Sequence, residues 1–344
     1  MKIYGENWTR RLVERCIGDI RQLCGVKPLR FSDGLEQGTK GIYVWNAAGL
    51  QFWVLPDRCM DIGAVYYKGI PLTWASKTGY VHPSYLQDRG WMAGFHGGLL
   101  ATCGLNNVGR SCTDEDGAHE MHGRVSRLPA AELQYGGAWT ADDYAISISG
   151  KVHDCSSLGD HLQLHRHITL KADEAVIRVT DVVSNLGAMA MPCMIKYHMN
   201  FGFPIIRDDT RFIVAHRKRL LKEGQELTVA DADCFRNITN TGTEMLYHEC
   251  DYSSSEWGRV TIHNPRFAGK EGFDLAIRYR HETLPHLWQW NNVMDGLYVT
   301  AIEPSNCAVK PRSEARKEGC LKYLQPGESI EFVVEFAIVP GYIN

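Results

Sequence analysis

The 344-residue chain lacks several features that would each have pointed to a particular class of protein. It has no apolar run long enough to cross a bilayer, and its first residues lack the apolar segment of a signal peptide. No block of like charge interrupts a nearly balanced formal charge of −3, which argues against a nucleic-acid or anionic-membrane partner. We therefore expect a cytoplasmic protein.

Paired cysteine motifs are also absent. The 11 cysteines are scattered along the chain, and no two of them form a C-x-x-C pair. An odd number of cysteines without an export signal predicts free thiols in a reducing compartment.

What the chain does have is many short runs of β-branched and aromatic residues, separated by Gly, Pro and Asp. These runs are 41–46, 50–55, 64–67, 144–149, 161–170, 175–183, 212–215, 258–262, 275–279, 296–302 and 329–338. Many strands at short spacing predict an all-β sandwich or barrel. Strict alternation over 329–338 further predicts a strand with one face in water.

A single helix is predicted near the start of the chain. Apolar residues between Trp8 and Leu23 recur with a period close to 3.6 residues. Neither a repeat of fixed period nor a low-complexity linker divides the chain, so we expect one domain over residues 1–344. Residues 1–33 would form a helical extension packed on it.

Three polar residues in apolar, strand-like surroundings are the candidates for chemistry: His122, His198 and Glu303. They are far apart in sequence, so a fold that brings them together would create a site. Two imidazoles and a carboxylate can move protons at neutral pH, because their pKa values lie near neutrality or can be tuned toward it. Each residue also has a structural explanation, as a hydrogen-bonded core histidine or one half of an ion pair.

Two polar residues follow the histidines at a spacing of two. Arg124 follows His122 and Asn200 follows His198, so on a strand each would share the face of its histidine. We expect both to contact a substrate.

Four further residues are candidate substrate contacts with equally plausible structural roles. His96 lies in a glycine-rich segment, where it could bind hydroxyl groups or stabilise a turn. Arg58 could bind substrate or form a local ion pair. Gln289 and Trp290 belong to an aromatic platform with a polar centre, although tryptophan in a β protein is often core.

The 14 histidines raise the question of a metal. His161, His165 and His167 share one strand face by period two, and His119 and His122 form a second pair. A metal-dependent isomerase would use histidines and a carboxylate in this way. A solvent-facing polar row explains the first set more simply, so we expect neither a metal nor an organic cofactor.

In their order along the chain, several motifs resemble the aldose 1-epimerase (galactose mutarotase-like) superfamily, and within it the DUF4432 branch. The matching segments are 58–63, 97–106, 121–124, 197–202, 302–304 and 324–328. The resemblance implies a large β-supersandwich that binds a sugar in a cleft across the concave face of one sheet. It also implies interconversion of the α and β anomers of a free sugar, without a metal or organic cofactor.

Carried over residue by residue, the resemblance implies roles for the three candidates. Glu303 would be the base on the anomeric hydroxyl, His198 the acid near the ring oxygen, and His122 a contact to that oxygen. Opening a cyclic hemiacetal needs both proton transfers, which a carboxylate and a protonated imidazole on opposite sides of the ring would provide. The Gly-Arg-x-x-Asn-Arg segment of the family is not recognisable, and Asn106 stands near the position of its arginine.

The leading hypothesis from the sequence is therefore an epimerase of the mutarotase type that acts on a small sugar. A sugar-binding protein that keeps the cleft without turnover is the alternative, followed by a metal-dependent sugar isomerase. Neither the identity of the sugar nor the oligomeric state follows from the sequence.

Overall fold

The computed structural model of the chain describes residues 1–86, 89–221, 224, 234–253, 255–266 and 272–339. This part is built mainly from antiparallel strands, as predicted. They form an eight-stranded, a six-stranded and a five-stranded sheet, together with two-stranded ribbons.

The strands of the first half of the chain lie mostly in the five-stranded and eight-stranded sheets. They are β1 (Lys2–Ile3), β2 (Glu6–Asn7), β3 (Gly25–Arg30), β4 (Lys40–Trp45), β5 (Leu50–Leu55), β6 (Asp61–Tyr67), β7 (Ile70–Pro71), β8 (Ala101–Leu105), β9 (Cys112–Asp114), β10 (Gly117–His119), β11 (Ala130–Thr140), β12 (Asp143–Cys155) and β13 (His161–Lys171).

The second half supplies most of the six-stranded sheet. Its strands are β14 (Val176–Asn185), β15 (Met191–Pro192), β16 (Met194–Gly202), β17 (Arg211–Val214), β18 (His216–Leu221), β19 (Thr243–Cys250), β20 (Trp257–Asn264), β21 (Phe273–Arg280), β22 (His286–Met294), β23 (Leu297–Ser305), β24 (Tyr323–Leu324) and β25 (Ser329–Val339). Within the described residues, the helices are α1 (Arg10–Cys16) and α2 (Arg312–Lys317), and single 3₁₀ turns span Ile20–Gln22, Gly34–Glu36, Pro83–Leu86, Trp91–Gly94 and Val125–Arg127.

The N-terminal region is less helical than predicted. Helix α1 ends at Cys16, because Gly18 is a poor helix former and the Asp19 side chain caps a separate 3₁₀ turn. Residues of β3 then pair with β4 at the edge of the five-stranded sheet. The helix predicted between Trp8 and Leu23 therefore spans only Arg10–Cys16, and the expected helical extension over 1–33 also contains strands β1, β2 and β3.

Each of the predicted strand runs forms a strand, but the expected wet face of 329–338 exists only at its start, where Ser329 and Glu331 are exposed. Strand β25 lies inside the eight-stranded sheet between β14 and β21, and residues 332–336 are all buried. On the outer face, Arg178 and Arg278 lie over Glu335, with nitrogen–oxygen distances of 3.0 and 3.1 Å. Ion pairing thus buries the position that alternation assigned to water.

The six-stranded sheet has the order β18-β19-β22-β23-β16-β8 and presents two different faces. On one face, Tyr197, Met199 and Ile302 pack into the main hydrophobic core. The register pairs Lys196 with Ser305 and Met199 with Ile302, which puts His198 opposite Glu303 on the other face. The two strongest candidates from the sequence are therefore cross-strand neighbours.

A buried ionic network lies behind β16 and links the two largest sheets. The Arg166 guanidinium donates to both carboxylate oxygens of Asp181 at 2.9 and 2.7 Å, and to Asp61 at 3.0 Å. It also donates to Thr102 Oγ1 at 2.9 Å, and the Tyr197 hydroxyl donates to Asp181 at 2.8 Å. Because Tyr197 lies on β16, this network fixes the strand that carries His198.

The described residues test two further expectations. All 11 cysteines are free thiols, as predicted. In the described ranges, no helix is both long and apolar enough to cross a bilayer.

Candidate active site

Lys196, His198 and Glu303 form a contiguous triad on the face of the six-stranded sheet that points away from the main core. His198 Nε2 lies 2.8 Å from Glu303 Oε1, and Lys196 Nζ donates to Glu303 Oε2 at 2.7 Å. Lys196 and Glu303 are fully buried, while His198 is 5% exposed. A single carboxylate thus holds a cation on one oxygen and an imidazole on the other.

At each residue of the triad, burial and the neighbouring residues shift the pKa in opposite directions. Burial lowers the pKa of His198, and Glu303 only partly offsets this, so the imidazole is neutral at neutral pH. Burial alone would raise the pKa of Glu303, but His198 and Lys196 outweigh it and hold the carboxyl below its usual range. Burial works against the charged form of Lys196, yet Glu303 leaves its pKa raised.

This geometry corrects the roles that the sequence suggested for Glu303 and His198. A carboxylate and an imidazole 2.8 Å apart cannot stand on opposite sides of a sugar ring. Lys196 donates to Oε2 of Glu303, while Oε1 lies 2.8 Å from the imidazole and has no hydrogen-bond partner among the described residues. Because Glu303 is fully buried and His198 is slightly exposed, the imidazole is the group nearer to solvent.

Aromatic side chains enclose His198. The ring of Phe95 lies 5.0 Å from the imidazole, that of Trp290 5.6 Å and that of Trp91 6.0 Å, measured between centroids. Trp91 belongs to the 3₁₀ turn Trp91–Gly94 and is nearly buried, as is Phe95. The triad therefore lies beneath an aromatic cover formed by Trp91, Phe95 and Trp290, and Trp290 is the predicted contact that the structure brings to it.

His122 reaches the same aromatic cover from a turn, not from the predicted strand. Its φ of 56° lies in the left-handed region, and its ring is 4.7 Å from that of Trp91. The Gly109 amide donates to His122 Nδ1 at 3.1 Å, so the neutral imidazole carries its proton on Nε2.

Arg124 does not share the face of His122, because the chain turns between the two residues. Its Nε donates to Asp154 at 2.6 Å and one terminal nitrogen to the Cys155 carbonyl at 3.0 Å. The charge of Arg124 is thus committed to the eight-stranded sheet, and the predicted shared strand face is wrong.

Asn200 and His96 lie close to the triad, and each has one buried polar atom without a hydrogen-bond partner among the described residues. Asn200 donates to the carbonyls of Gly98 and His198, while its Oδ1 has no hydrogen-bond partner among the described residues. His96 Nε2 lies 3.3 Å from the Leu100 carbonyl, and its Nδ1 likewise finds no partner in the described part of the chain. Burial lowers the pKa of His96 to about 3, so this imidazole is neutral.

Asn106 stands beside the turn that carries His122. A Cβ atom on Gly123 would meet the Gly104 carbonyl oxygen at 2.0 Å and Asn106 Oδ1 at 3.0 Å, so only glycine fits there. Asn106 Oδ1 is buried without a partner among the described residues.

Two predicted contacts besides Arg124 are not brought to the site. Arg58 is 2% exposed and donates to three backbone carbonyls, so it is part of the scaffold. Gln289 lies opposite Ile302, on the core face of the sheet, where it contacts His248 and Asn291. Alternation along β22 sends Gln289 away from the face that carries Trp290.

Sequence reasoning missed Lys196 and two members of the aromatic cover, Trp91 and Phe95. Lys196 was detectable, since it precedes His198 by two residues in an apolar strand and must share its face. Trp91 and Phe95 lie in a loop, where no periodicity indicates which way a side chain points.

The described residues contain no group of three or more His, Cys, Asp or Glu side chains placed to hold a metal ion. The predicted polar row lies on the outer face of the eight-stranded sheet, with His165 and His167 exposed. His161 contacts His153 at 3.0 Å, and His119 contacts Asp114 at 2.8 Å.

Comparison with known proteins places the chain in a family. The sequence profile described as "Domain of unknown function (DUF4432)" matches residues 36–338. The chain belongs to the DUF4432 family. No curated protein matches it significantly.

Solved structures show that this member of the DUF4432 family has a galactose mutarotase-like fold. A protein of Klebsiella pneumoniae subsp. pneumoniae MGH 78578, provisionally named an aldose 1-epimerase, superposes with a TM-score of 0.82 at 22% identity, over 92% of this chain and 83% of that one. A galactose mutarotase-like protein of Clostridium acetobutylicum gives 0.62 at 14% identity, over 92% and 98% of the two chains. A galactose 1-epimerase of Lactobacillus acidophilus NCFM gives 0.59 at 13% identity, over 92% and 99%.

Proposed function

We propose that this protein is a carbohydrate epimerase of the mutarotase type, with His198 as the group that moves the proton. The observation that carries the proposal is the buried pair of His198 and Glu303, on the sheet face that an aromatic cover encloses. Relatives of the same fold are named as epimerases of aldoses and galactose.

The proton chemistry follows from the neutral state of His198. When the proton is on Nε2, the nitrogen that lies 2.8 Å from Glu303 Oε1, the lone pair of Nδ1 is the basic site of the ring. Nδ1 takes the proton of the anomeric hydroxyl, and the imidazolium that forms is stabilised by the adjacent carboxylate. It then gives this proton to the ring oxygen as the bond from that oxygen to the anomeric carbon breaks.

One imidazole suffices for both transfers because the two oxygens are bonded to the same carbon. The open aldehyde rotates, and the same steps in reverse close the ring on its other face. The Nε2–H of His122 would donate a hydrogen bond to the ring oxygen as charge develops there. Asn200 Oδ1 and Asn106 Oδ1 would accept hydrogen bonds from sugar hydroxyls.

Substrate access requires the aromatic cover to shift. Nδ1 of His198 is buried, and Trp91 and Phe95 pack against its ring. A sugar stacking on Trp290 would replace the lost aromatic contacts with its own C–H face.

The test is anomer exchange measured by NMR saturation transfer on a panel of aldoses, including deoxy and acidic sugars. The wild-type protein should accelerate exchange of at least one sugar, and His198→Gln should slow that reaction by a factor of about 10² to 10⁴. His165→Gln is the matched control, because His165 is exposed on the outer face of the eight-stranded sheet.

Two outcomes would refute the proposal. Unchanged exchange in His198→Gln would remove His198 from the mechanism. A wild-type protein that binds a panel sugar, detected by tryptophan fluorescence, without accelerating its exchange would instead establish a sugar-binding protein of the same fold.

A further inference from the structure

Lys196 has no direct part in the proton transfer described above, yet it is fully buried beside it. A lysine with no exposed surface is costly unless it is paired, and its pairing with Glu303 at 2.7 Å meets that requirement. Buried ion pairs rarely add net stability compared with apolar side chains. Stability alone therefore gives a weak reason for a lysine at this position.

The charges of the triad supply a stronger reason. Glu303 carries one negative charge and has two neighbours, Lys196 and His198, either of which could balance it. Since a buried site tolerates little net charge, a single cation is enough. When the lysine is that cation, the imidazole has no need to take up a proton.

We propose that Lys196 is a positioning residue that supplies the counter-charge of Glu303, which keeps His198 neutral, with its proton on Nε2 and its lone pair on Nδ1. The inference deepens the function proposed above and rests on it for the kinetic outcome alone. The protonation state of His198 can be observed without any sugar.

Other titratable groups near the triad do not take over this role. Burial lowers the pKa of His96 to about 3 and raises the pKa of the Cys103 and Cys307 thiols to about 12. All three are therefore uncharged at neutral pH. Strand β22 faces His198 with Trp290, which does not titrate.

Without the lysine, the imidazole of His198 should take up a proton more readily. In Lys196→Met, a carboxylate without another cation lies 2.8 Å from His198, which favours the imidazolium. We expect the pKa of His198 to rise by about one unit or more. Lys196→Arg keeps the positive charge and should leave the titration of His198 much closer to that of the wild type.

The experiment is ¹⁵N NMR of protein labelled at histidine, with the His198 signals assigned by their loss in His198→Gln. In the wild type at pH 7, His198 should show one protonated nitrogen and one unprotonated nitrogen. In Lys196→Met, both nitrogens should be protonated over a wider pH range, and the acid limb of kcat/KM should move to higher pH by the same amount.

Several results would overturn the inference. One is an imidazolium at His198 in the wild type at pH 7, an outcome that remains decisive even if Lys196→Met does not fold. Another is an unchanged titration in Lys196→Met. If the NMR shift occurs while no sugar shows anomer exchange, Lys196 keeps its role and the proposed epimerase activity fails instead.

Discussion

Replacing Arg166 should destabilise the protein far more than replacing an exposed arginine. Arg166→Met removes the cation that five hydrogen bonds hold between Asp61, Asp181, Thr102 and the Cys59 carbonyl. Two carboxylates with no exposed surface are left without their counter-ion. Breaking such a buried network typically costs about 3–5 kcal/mol, a large part of the roughly 5–15 kcal/mol that stabilises an ordinary domain.

The assay is urea unfolding followed by tryptophan fluorescence, with Arg178→Met as the matched control. Arg178 also pairs with a carboxylate, Glu335, but it is exposed, so its loss should cost about 1 kcal/mol or less. Lowering the pH should narrow the gap between the two variants, because burial already raises the pKa of Asp61 and the unpaired carboxyls would then be protonated. The double variant Arg166→Met/Asp181→Asn should lose less than the sum of the single losses.

Equal losses of free energy in Arg166→Met and Arg178→Met would refute this reasoning. So would strictly additive losses in the double variant, because they would mean that Arg166 and Asp181 do not interact across the two strands.

The remaining predictions concern pH, substrate contact and metal. The folded-state pKa of His96 is about 3, below its usual value of 6.5, so between these pH values the unfolded chain binds a proton that the folded chain does not. The free energy of unfolding should therefore be highest above pH 6.5 and should fall by up to about 1.4 kcal/mol per pH unit between pH 6.5 and 3. In His96→Asn this decrease with falling pH should be smaller. A larger decrease in the variant would contradict the prediction. Trp290→Ala should raise KM for the accepted sugar about tenfold, while Gln289→Met, on the core face, should leave KM unchanged; equal effects would contradict the assignment of the two faces. Dialysis against a chelator should leave the rate of anomer exchange unchanged. If exchange were lost on dialysis and restored only by adding a divalent metal, the site would contain metal ligands other than the triad.

The strands were predictable from the sequence because their signals are local. Alternation and turn residues located β5, β13 and β25, and the apolar runs around His198 and Glu303 marked both as unusual. Register between distant strands is not a local property. The contact of 2.8 Å between His198 and Glu303 therefore could not be derived from the sequence. For the same reason, the sequence could not reveal that these two residues do not stand on opposite sides of a sugar ring.

The wrong site predictions have particular physical causes. Arg124 was assigned to the face of His122 by strand periodicity, but positive φ angles at His122 and Gly123 turn the chain between them. Gln289 was grouped with Trp290, although neighbours on a strand point to opposite faces. Arg166 was overlooked, yet alternation on β13 places it between buried residues, which is a signal of a paired internal charge.

The arrangement of the triad predicts how substitutions of Glu303 and His198 combine in their effect on the rate of anomer exchange. Because Glu303 is buried and contacts His198 directly, it should act on the substrate only through the imidazole. Glu303→Gln should slow anomer exchange in the wild-type background, where His198 loses its carboxylate partner. In a background that already lacks the imidazole, the same substitution should have no further effect.

The most direct test is therefore the rate of anomer exchange in Glu303→Gln, His198→Gln and the double variant, each first shown to be folded by its unfolding midpoint. We predict that the double variant is no slower than His198→Gln alone. A further loss of about tenfold or more in the double variant would mean that Glu303 reaches the sugar itself, and it would contradict the assignment of His198 as the group that moves the proton.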